Sequence, residues 1–202
     1  MKLYYFPGAC STAPHIVACE AGLPLDLEKV DLGSRRTASG EDYAAVNPKG
    51  YVPALRLDDG SVLTEVSALI QYLADLAPAS GLIPAAGTME RYRVLEWIGY
   101  IATEIHKGFG PLWNAKLAPD ARAAAVAALA RRLDLVEQVL ARQPFLAGQA
   151  FGVADAYLFT VLSWAPWVKL DMAPWPKLRD FVARVGARPK VQEALAAEGL
   201  SE

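Results

Sequence analysis

The chain changes character once, between residues 78 and 88, where Pro78, Gly81, Pro84 and Gly87 interrupt any regular structure. Before this break, strand-like and helix-like stretches alternate; after it, every periodic segment is helical. Such a chain is expected to fold as an α/β unit followed by an all-helical one. The expected domains are therefore 1–77 and 89–202, with 78–88 as the linker. At 202 residues there is enough chain to bury a real core.

In the first part, Leu3 to Phe6 is aromatic-rich strand material. A helix from about Ser11 to Ala21 stops at Gly22, which suits the left-handed position past a helix end. Leu25 to Val30 alternates apolar and charged residues, the pattern of a half-exposed strand. A polar loop over 33–40 and a short helix over 42–46 lead to Pro48. Ala54–Leu57 and Ser61–Leu63 flank Asp58-Asp59-Gly60 and form a hairpin, and a helix covers Glu65–Leu76. Beyond the break, Met89–Phe109 is expected as one long helix and Asp120–Arg142 as a second. Alanine fills much of 121–130, but Leu129, Leu133, Val136 and Leu140 supply an apolar stripe, so that stretch is helix and not low-complexity chain. A third helix is expected over 153–168, ended or kinked by Pro166, with shorter ones over 177–186 and 190–197.

The net charge is −2 and no basic block occurs, which argues against nucleic acid or an anionic membrane as partner. The longest uncharged apolar stretch, Ala156 to Val168, falls short of the roughly 20 residues a membrane helix needs. Two cysteines and no leader-like start point to a reducing, cytoplasmic interior and not to a secreted disulfide scaffold. With two His and two Cys in the chain, no metal site is expected: His15 and Cys19, one turn apart, lack two further ligands. Cys19, inside the first helix beside Ala18, reads as a small buried residue.

Chemistry concentrates in a few places. In Tyr5-Phe6-Pro7-Gly8-Ala9-Cys10-Ser11, Cys10 precedes the first helix, where unpaired N–H groups and the helix dipole favour a thiolate. Ser11 is either an N-cap or a hydroxyl aimed where Cys10 points; Tyr5 is either packing or a phenol donor to a sulfur anion. In Asn47-Pro48-Lys49-Gly50-Tyr51-Val52-Pro53, a proline follows a β-branched residue just before a strand. The trans preference of an X-Pro bond is only about 0.5–1 kcal/mol, so Val52-Pro53 is a place for a cis bond and a backbone strip able to pair an extended peptide. Glu65, opening the next helix, either serves the helix dipole or meets a ligand ammonium, while the N–H groups of Glu65 and Val66 face an anion. In the helical half, Glu104, His106 and Lys107 are polar without sharing a stripe, so His106 is either a packed residue or part of a cleft lining. Trp164 and Trp167 are core packing or the walls of an apolar pocket.

These motifs resemble the glutathione transferases, in particular the bacterial beta class. The resemblance runs essentially from Met1 to Leu200 and includes Asn-Pro-Lys-Gly at 47–50, Val-Pro-Ala-Leu at 52–55, Leu-Thr-Glu at 63–65, Gln-Tyr-Leu-Ala-Asp at 71–75, Tyr-Ile-Ala-Thr-Glu at 100–104 and Val-Ala-Asp-Ala-Tyr at 153–157. It implies a thioredoxin-like N-terminal domain that binds glutathione, an all-α C-terminal bundle that shapes the electrophile pocket, and a C2 homodimer. It implies a cytoplasmic detoxification enzyme with glutathione as co-substrate and no further cofactor. Val52 would pair with the cysteinyl part of glutathione beside a cis-Pro53, Glu65 and the Val66 amide would hold the γ-glutamyl end, and Arg35 would lie near the glycyl carboxylate. Cys10 and His106 would approach the sulfur, with Ser11, Tyr5 and Lys107 nearby, and residues 99, 103 and 104 (Gly99, Thr103 and Glu104) would reach the neighbouring subunit's glutathione. A mixed disulfide through Cys10 is a side role the resemblance allows. The rival reading is a non-catalytic binder of glutathione or apolar ligands on the same fold. Three positions depart from the family pattern. Val66 stands in place of Ser or Gly, Gly99 in place of Asn, and Gly152 in place of the Ser or Thr that caps the helix three residues before Asp155.

Overall fold

The computed structural model describes residues 1–200. They form two compact units, Met1–Ile83 with the described residues from Ala187 onward, and Pro84–Gly186.

The first unit is built on a five-stranded sheet. Its elements run β1 (Lys2–Tyr5), α1 (Thr12–Ala21), β2 (Asp26–Asp31), β3 (Arg36–Thr37), α2 (Tyr43–Val46), β4 (Ala54–Arg56), β5 (Val62–Thr64) and α3 (Val66–Leu76). The sheet order is β3-β2-β1-β4-β5. β1 pairs parallel with β2 (Leu3 opposite Leu27) and antiparallel with β4 (Leu3 opposite Leu55), so it is central and its Leu3 and Tyr4 are fully buried. On one face Tyr4 packs with Val30, Tyr43, Val46, Val52 and Ala54. α1 and α3 pack together, burying Ile16 and Val17 with Leu69, Ile70 and Leu73; each such side chain contributes roughly 1.5–3 kcal/mol. Gly22, at φ +69°, closes α1 with paired bonds from Gly22 N–H to the Cys19 carbonyl and from Leu23 N–H to the Ala18 carbonyl. The loop expected over 33–40 contains β3, a two-residue strand held antiparallel to β2 through Val30–Thr37 and Asp31–Arg36. So short a strand has no alternation to read.

The second unit holds α4 (Met89–Tyr100), a π-helical turn (Ile101–His106), α5 (Lys107–Phe109), α6 (Pro119–Leu140), α7 (Val153–Leu162) and α8 (Pro176–Gly186). The long helix expected over 89–109 is thus interrupted by a widened turn. One extra residue in a single turn barely disturbs an apolar stripe, so periodicity does not reveal it. Gly108 permits the close approach of α5 to α6, since a Cβ there would meet Leu129 Cδ1 at 2.9 Å. α7 is buried along its whole length, as a helix apolar on every side must be. It ends at Leu162 and not near Val168, with Ser163 donating back to the Thr160 carbonyl. Gly152 sits at its N-cap without a side chain, and Asp155 does the capping: its Oδ2 accepts from Gly152 N–H at 2.9 Å and its Oδ1 from Leu146 N–H at 2.8 Å.

The last helix, α9 (Pro189–Ala197), belongs by packing to the first unit and not to the helical half where sequence placed it. It lies against α1 and buries Val191 and Ala194. Arg188 clasps Glu20 through two bonds of 2.7 and 2.8 Å. Among the described residues no helix is long and apolar enough to cross a membrane.

Candidate functional site

In the first unit three segments converge on one place. The turn 6–10 is closed by Ala9 N–H donating to the Phe6 carbonyl and by Gly8 at φ +72°, and it delivers Cys10 just ahead of α1. The segment 47–53 is held by its own side chains. Asn47 Oδ1 accepts from Lys49 N–H, and Asn47 Nδ2 and the Tyr43 hydroxyl both donate to the Tyr51 carbonyl at 2.7 Å. Burial pushes the Tyr43 phenol up to about 12, so it serves as a donor throughout the physiological range. The Val52-Pro53 bond is cis, as anticipated. The Cys10 thiol donates to the Val52 carbonyl at 3.3 Å, which joins the two segments. No described residue accepts from the Val52 N–H.

Glu65 supplies the third segment. Its backbone sits at φ +73°, ψ 125°, a conformation a non-glycine residue holds at a cost of roughly 1–3 kcal/mol. It makes no capping bond with its side chain. Its carboxylate meets Lys49 Nζ at 2.7 Å, and Lys49 also reaches Thr64 Oγ1 at 3.0 Å. Both partners are well exposed, 51% for Lys49 and 66% for Glu65, so their attraction alone is worth little. Lys49 was legible only as part of the Asn-Pro-Lys-Gly motif; its pairing depends on the hairpin that brings Glu65 beside it. Val66 begins α3, buried, where the first N–H groups of a helix lack intrahelical partners.

The remaining first-unit candidates lie as follows. Arg35 is exposed at φ +57° in the loop before β3, and no described residue pairs with its guanidinium. The Ser11 hydroxyl is fully buried and engaged with Phe6, donating to its carbonyl and accepting from its N–H, both at 3.2 Å. It therefore neither caps α1 nor points freely toward the Cys10 thiol; it fixes the turn that presents Cys10. Tyr5 is buried, and its phenol is pushed up by burial and by the charge of Glu198.

In the second unit the π-helical turn carries the other candidates. His106 Nδ1 lies 2.7 Å from the Tyr157 hydroxyl, and its ring meets Trp164 edge-on at 4.9 Å. Burial, helped by the charge of Lys107, pulls its pKa down to about 4, so the ring is neutral at physiological pH. Thr103 Oγ1 donates to the Gly99 carbonyl at 3.0 Å, Glu104 pairs with Arg132 at 2.9 Å, and Lys107 is exposed. Trp164 is core, as the plainer alternative had it. Trp167 stays half-exposed and, with Trp113 and Leu112, lines a cavity of about 390 Å³. No group of His, Cys, Asp and Glu among the described residues is arranged to hold a metal ion.

Residues 8–76 match the model of the glutathione S-transferase N-terminal domain, and residues 100–189 that of the C-terminal domain. The chain is 48% identical to glutathione S-transferase GstA of Escherichia coli O157:H7, over 99% of this chain and 100% of that one. It is similar to a sphingomonad glutathione S-transferase solved with glutathione, at 46% identity and a TM-score of 0.95, each chain covered completely. A bacterial beta class glutathione S-transferase of Sphingomonas chungbukensis superposes with a TM-score of 0.95 at 43% identity, again over the whole of both chains.

Proposed function

The chain belongs to the glutathione S-transferase family, and on that premise we propose a beta-class enzyme that joins the glutathione sulfur to an electrophilic carbon of an apolar substrate. The observation that carries the reading is the convergence of Cys10, the Val52 strip at a cis-Pro53 and a strained Glu65 in one unit. An extended peptide pairs with the Val52 N–H and carbonyl, the latter having a second lone pair beyond the one used by Cys10. The γ-glutamyl ammonium meets Glu65, its carboxylate meets the free N–H groups at the start of α3, and Arg35 attracts the glycyl carboxylate. Cys10 stands beside the incoming sulfur. His106, being neutral and bonded to Tyr157, serves as a hydrogen-bond donor or acceptor and not as a cation. Activation is thus spread over several donors and does not need one strong base. The two rings of Trp113 and Trp167 offer the second unit's apolar surface for the electrophile. The proposed setting is cytoplasmic detoxification, with glutathione as the only auxiliary molecule.

A conjugation assay with an aromatic halide and glutathione tests this directly, turnover supporting it and tight glutathione binding without turnover favouring a carrier. Cys10→Ala is expected to abolish the glutathione mixed disulfide yet keep measurable transferase activity, because the Val52 strip and Glu65 remain. Complete loss of turnover with unchanged glutathione affinity would make Cys10 the indispensable catalyst instead.

We further propose a C2 homodimer. The support is partial: Val94, Ile98, Ile101 and Ile105 are already buried, leaving Met89 and Tyr92 exposed on α4. A contribution of Glu104 to the partner's glutathione would have to share or break its bridge to Arg132. Light scattering at micromolar concentration should give a species near twice 21.8 kDa; one near 21.8 kDa itself refutes the dimer. In a heterodimer carrying Glu104→Ala in one subunit, glutathione affinity should fall in the other subunit's site.

A further inference from the structure

The turn that carries Cys10 is closed in part from within. Ala9 N–H donates to the Phe6 carbonyl, Thr12 N–H donates to the Ala9 carbonyl, and Ser11 Oγ bonds both the N–H and the carbonyl of Phe6. Two further bonds come from the far end of the chain. Glu198 Oε2 accepts from Gly8 N–H at 3.0 Å and from Thr12 Oγ1 at 2.8 Å. Gly8 stands two residues before Cys10 and Thr12 two after it, so one carboxylate oxygen grips both flanks of the thiol-bearing residue. The other oxygen, Oε1, lies 2.9 Å from His15 Nδ1, one turn further along α1.

Glu198 is held firmly itself. It follows α9 directly, keeps helical backbone angles (φ −87°, ψ −5°) and donates its own N–H to the Ala194 carbonyl. α9 is in turn docked on α1, with Val191 and Ala194 buried and Arg188 clasping Glu20. The Glu198 and His15 side chains are almost wholly buried. A carboxylate in such surroundings needs donors to replace its lost water, and here Gly8, Thr12 and His15 supply them. Burial alone would pull the His15 pKa down, but the hydrogen bonds and charges of Cys19 and Glu198 outweigh it and raise it to about 9. A cation therefore faces Oε1 at neutral pH and fixes the orientation of the carboxylate.

We propose that Glu198 is a positioning residue of the glutathione site: by bonding to Gly8 and Thr12 on either side of Cys10, it holds the thiol at the Val52 carbonyl and so strengthens glutathione binding through Cys10. The proposal rests on the reading of this turn as part of that site. Cys10 Sγ stands 3.3 Å from the Val52 carbonyl. A cysteine has a single side-chain torsion between its backbone and its sulfur, so any shift of the turn carries the sulfur with it. The last helix thus packs with the first unit to a purpose, because its end brings the carboxylate that steadies the thiol.

The test titrates the full-length protein with glutathione in a calorimeter. Glu198→Ala should weaken binding roughly five-fold, the worth of about one hydrogen bond from a well-placed Cys10. In a Cys10→Ala background the same substitution should change the affinity by less than about two-fold, because the residue it acts through is gone. Glu198→Gln keeps a side-chain oxygen that can accept from both Gly8 and Thr12, its amide turning to a His15 that is then neutral, and should bind within about two-fold of the parent. Glu198→Asp keeps the charge but is one carbon shorter and draws back from the turn; it should weaken binding as alanine does, and it serves if the alanine variant does not fold. Arg188→Ala releases α9 from Glu20 without touching the turn and should leave the affinity unchanged. Exchange of the Gly8 amide proton, followed by NMR, should quicken in Glu198→Ala and Glu198→Asp and not in Arg188→Ala. A parent protein that does not bind glutathione overturns the glutathione reading and this proposal with it. If the parent binds, the proposal alone is overturned by unchanged affinity in Glu198→Ala or Glu198→Asp, by an undiminished loss in the Cys10→Ala background, by a glutamine variant no better than alanine, or by an equal loss in Arg188→Ala.

Discussion

Replacing Glu65 with alanine is expected to raise the KM for glutathione roughly 30-fold while kcat at saturation changes only a few-fold. The carboxylate meets Lys49 of the segment that carries Val52, and there it is proposed to meet the ligand ammonium. Truncating one partner of a desolvated charge pair costs about 2–5 kcal/mol. Glu65 is 66% exposed before the ligand arrives, which places the effect at the lower end of that range. The bridge to Lys49 does not confound the result, because an ion pair so exposed adds about 0–1 kcal/mol at most. Nor does the backbone: alanine keeps a Cβ at φ +73°, so the local strain is the same in both proteins and the fold should melt at nearly the same temperature. Calorimetric titration with glutathione separates binding from chemistry, and an unchanged dissociation constant would remove Glu65 from the site.

Asp155→Ala is expected to cost about 2–4 kcal/mol of folding stability, a drop of roughly 5–15 °C in melting temperature for a chain of this size. The side chain is 1% exposed and accepts from two backbone N–H groups, Leu146 and Gly152, that alanine would leave without partners. Gly152 has no side chain to compensate, so the whole cap rests on Asp155. Burial raises the Asp155 pKa to about 7 against the opposing bonds from Leu146 and Gly152. A folded pKa above the unfolded value of about 3.9 means that the stabilising proton is held below that value and lost as pH rises through about 7. The penalty of the alanine variant should therefore shrink between pH 5.5 and 8. Equal melting temperatures for the two proteins at pH 5.5 would show that the two N–H groups find other partners.

The alternation of strand and helix signals, the glycine stop at Gly22, the Asp-Gly turn and the alanine-rich helix are all local properties, and each produced the expected element within a residue or two. Cys10, Val52-Pro53 and Glu65 were legible as candidates for the same reason, since a turn before a helix, an X-Pro bond before a strand and an acid at a helix start are written in consecutive residues. Ser11 was legible as a polar group in the right turn but not in its partner, because a hydroxyl has a free choice among nearby backbone groups and here takes Phe6. The same freedom decided Glu104, which has Arg132 for a partner across 28 residues.

By itself the sequence determined most of the helices and strands, where the break in composition falls, and which side chains are candidates for the chemistry, because periodicity, turn chemistry and residue type act over a few positions. Tertiary structure alone decided the partnerships. Strand β3 exists because β2 offers its edge, and the widened turn at 101–106 lies against α6 and α7. α9 leaves the helical half for α1, and Glu198 comes back across more than 180 residues to hold His15, Thr12 and Gly8. Contacts between residues so far apart in the chain are fixed by which surfaces bury one another best, and no local run of residues records that choice.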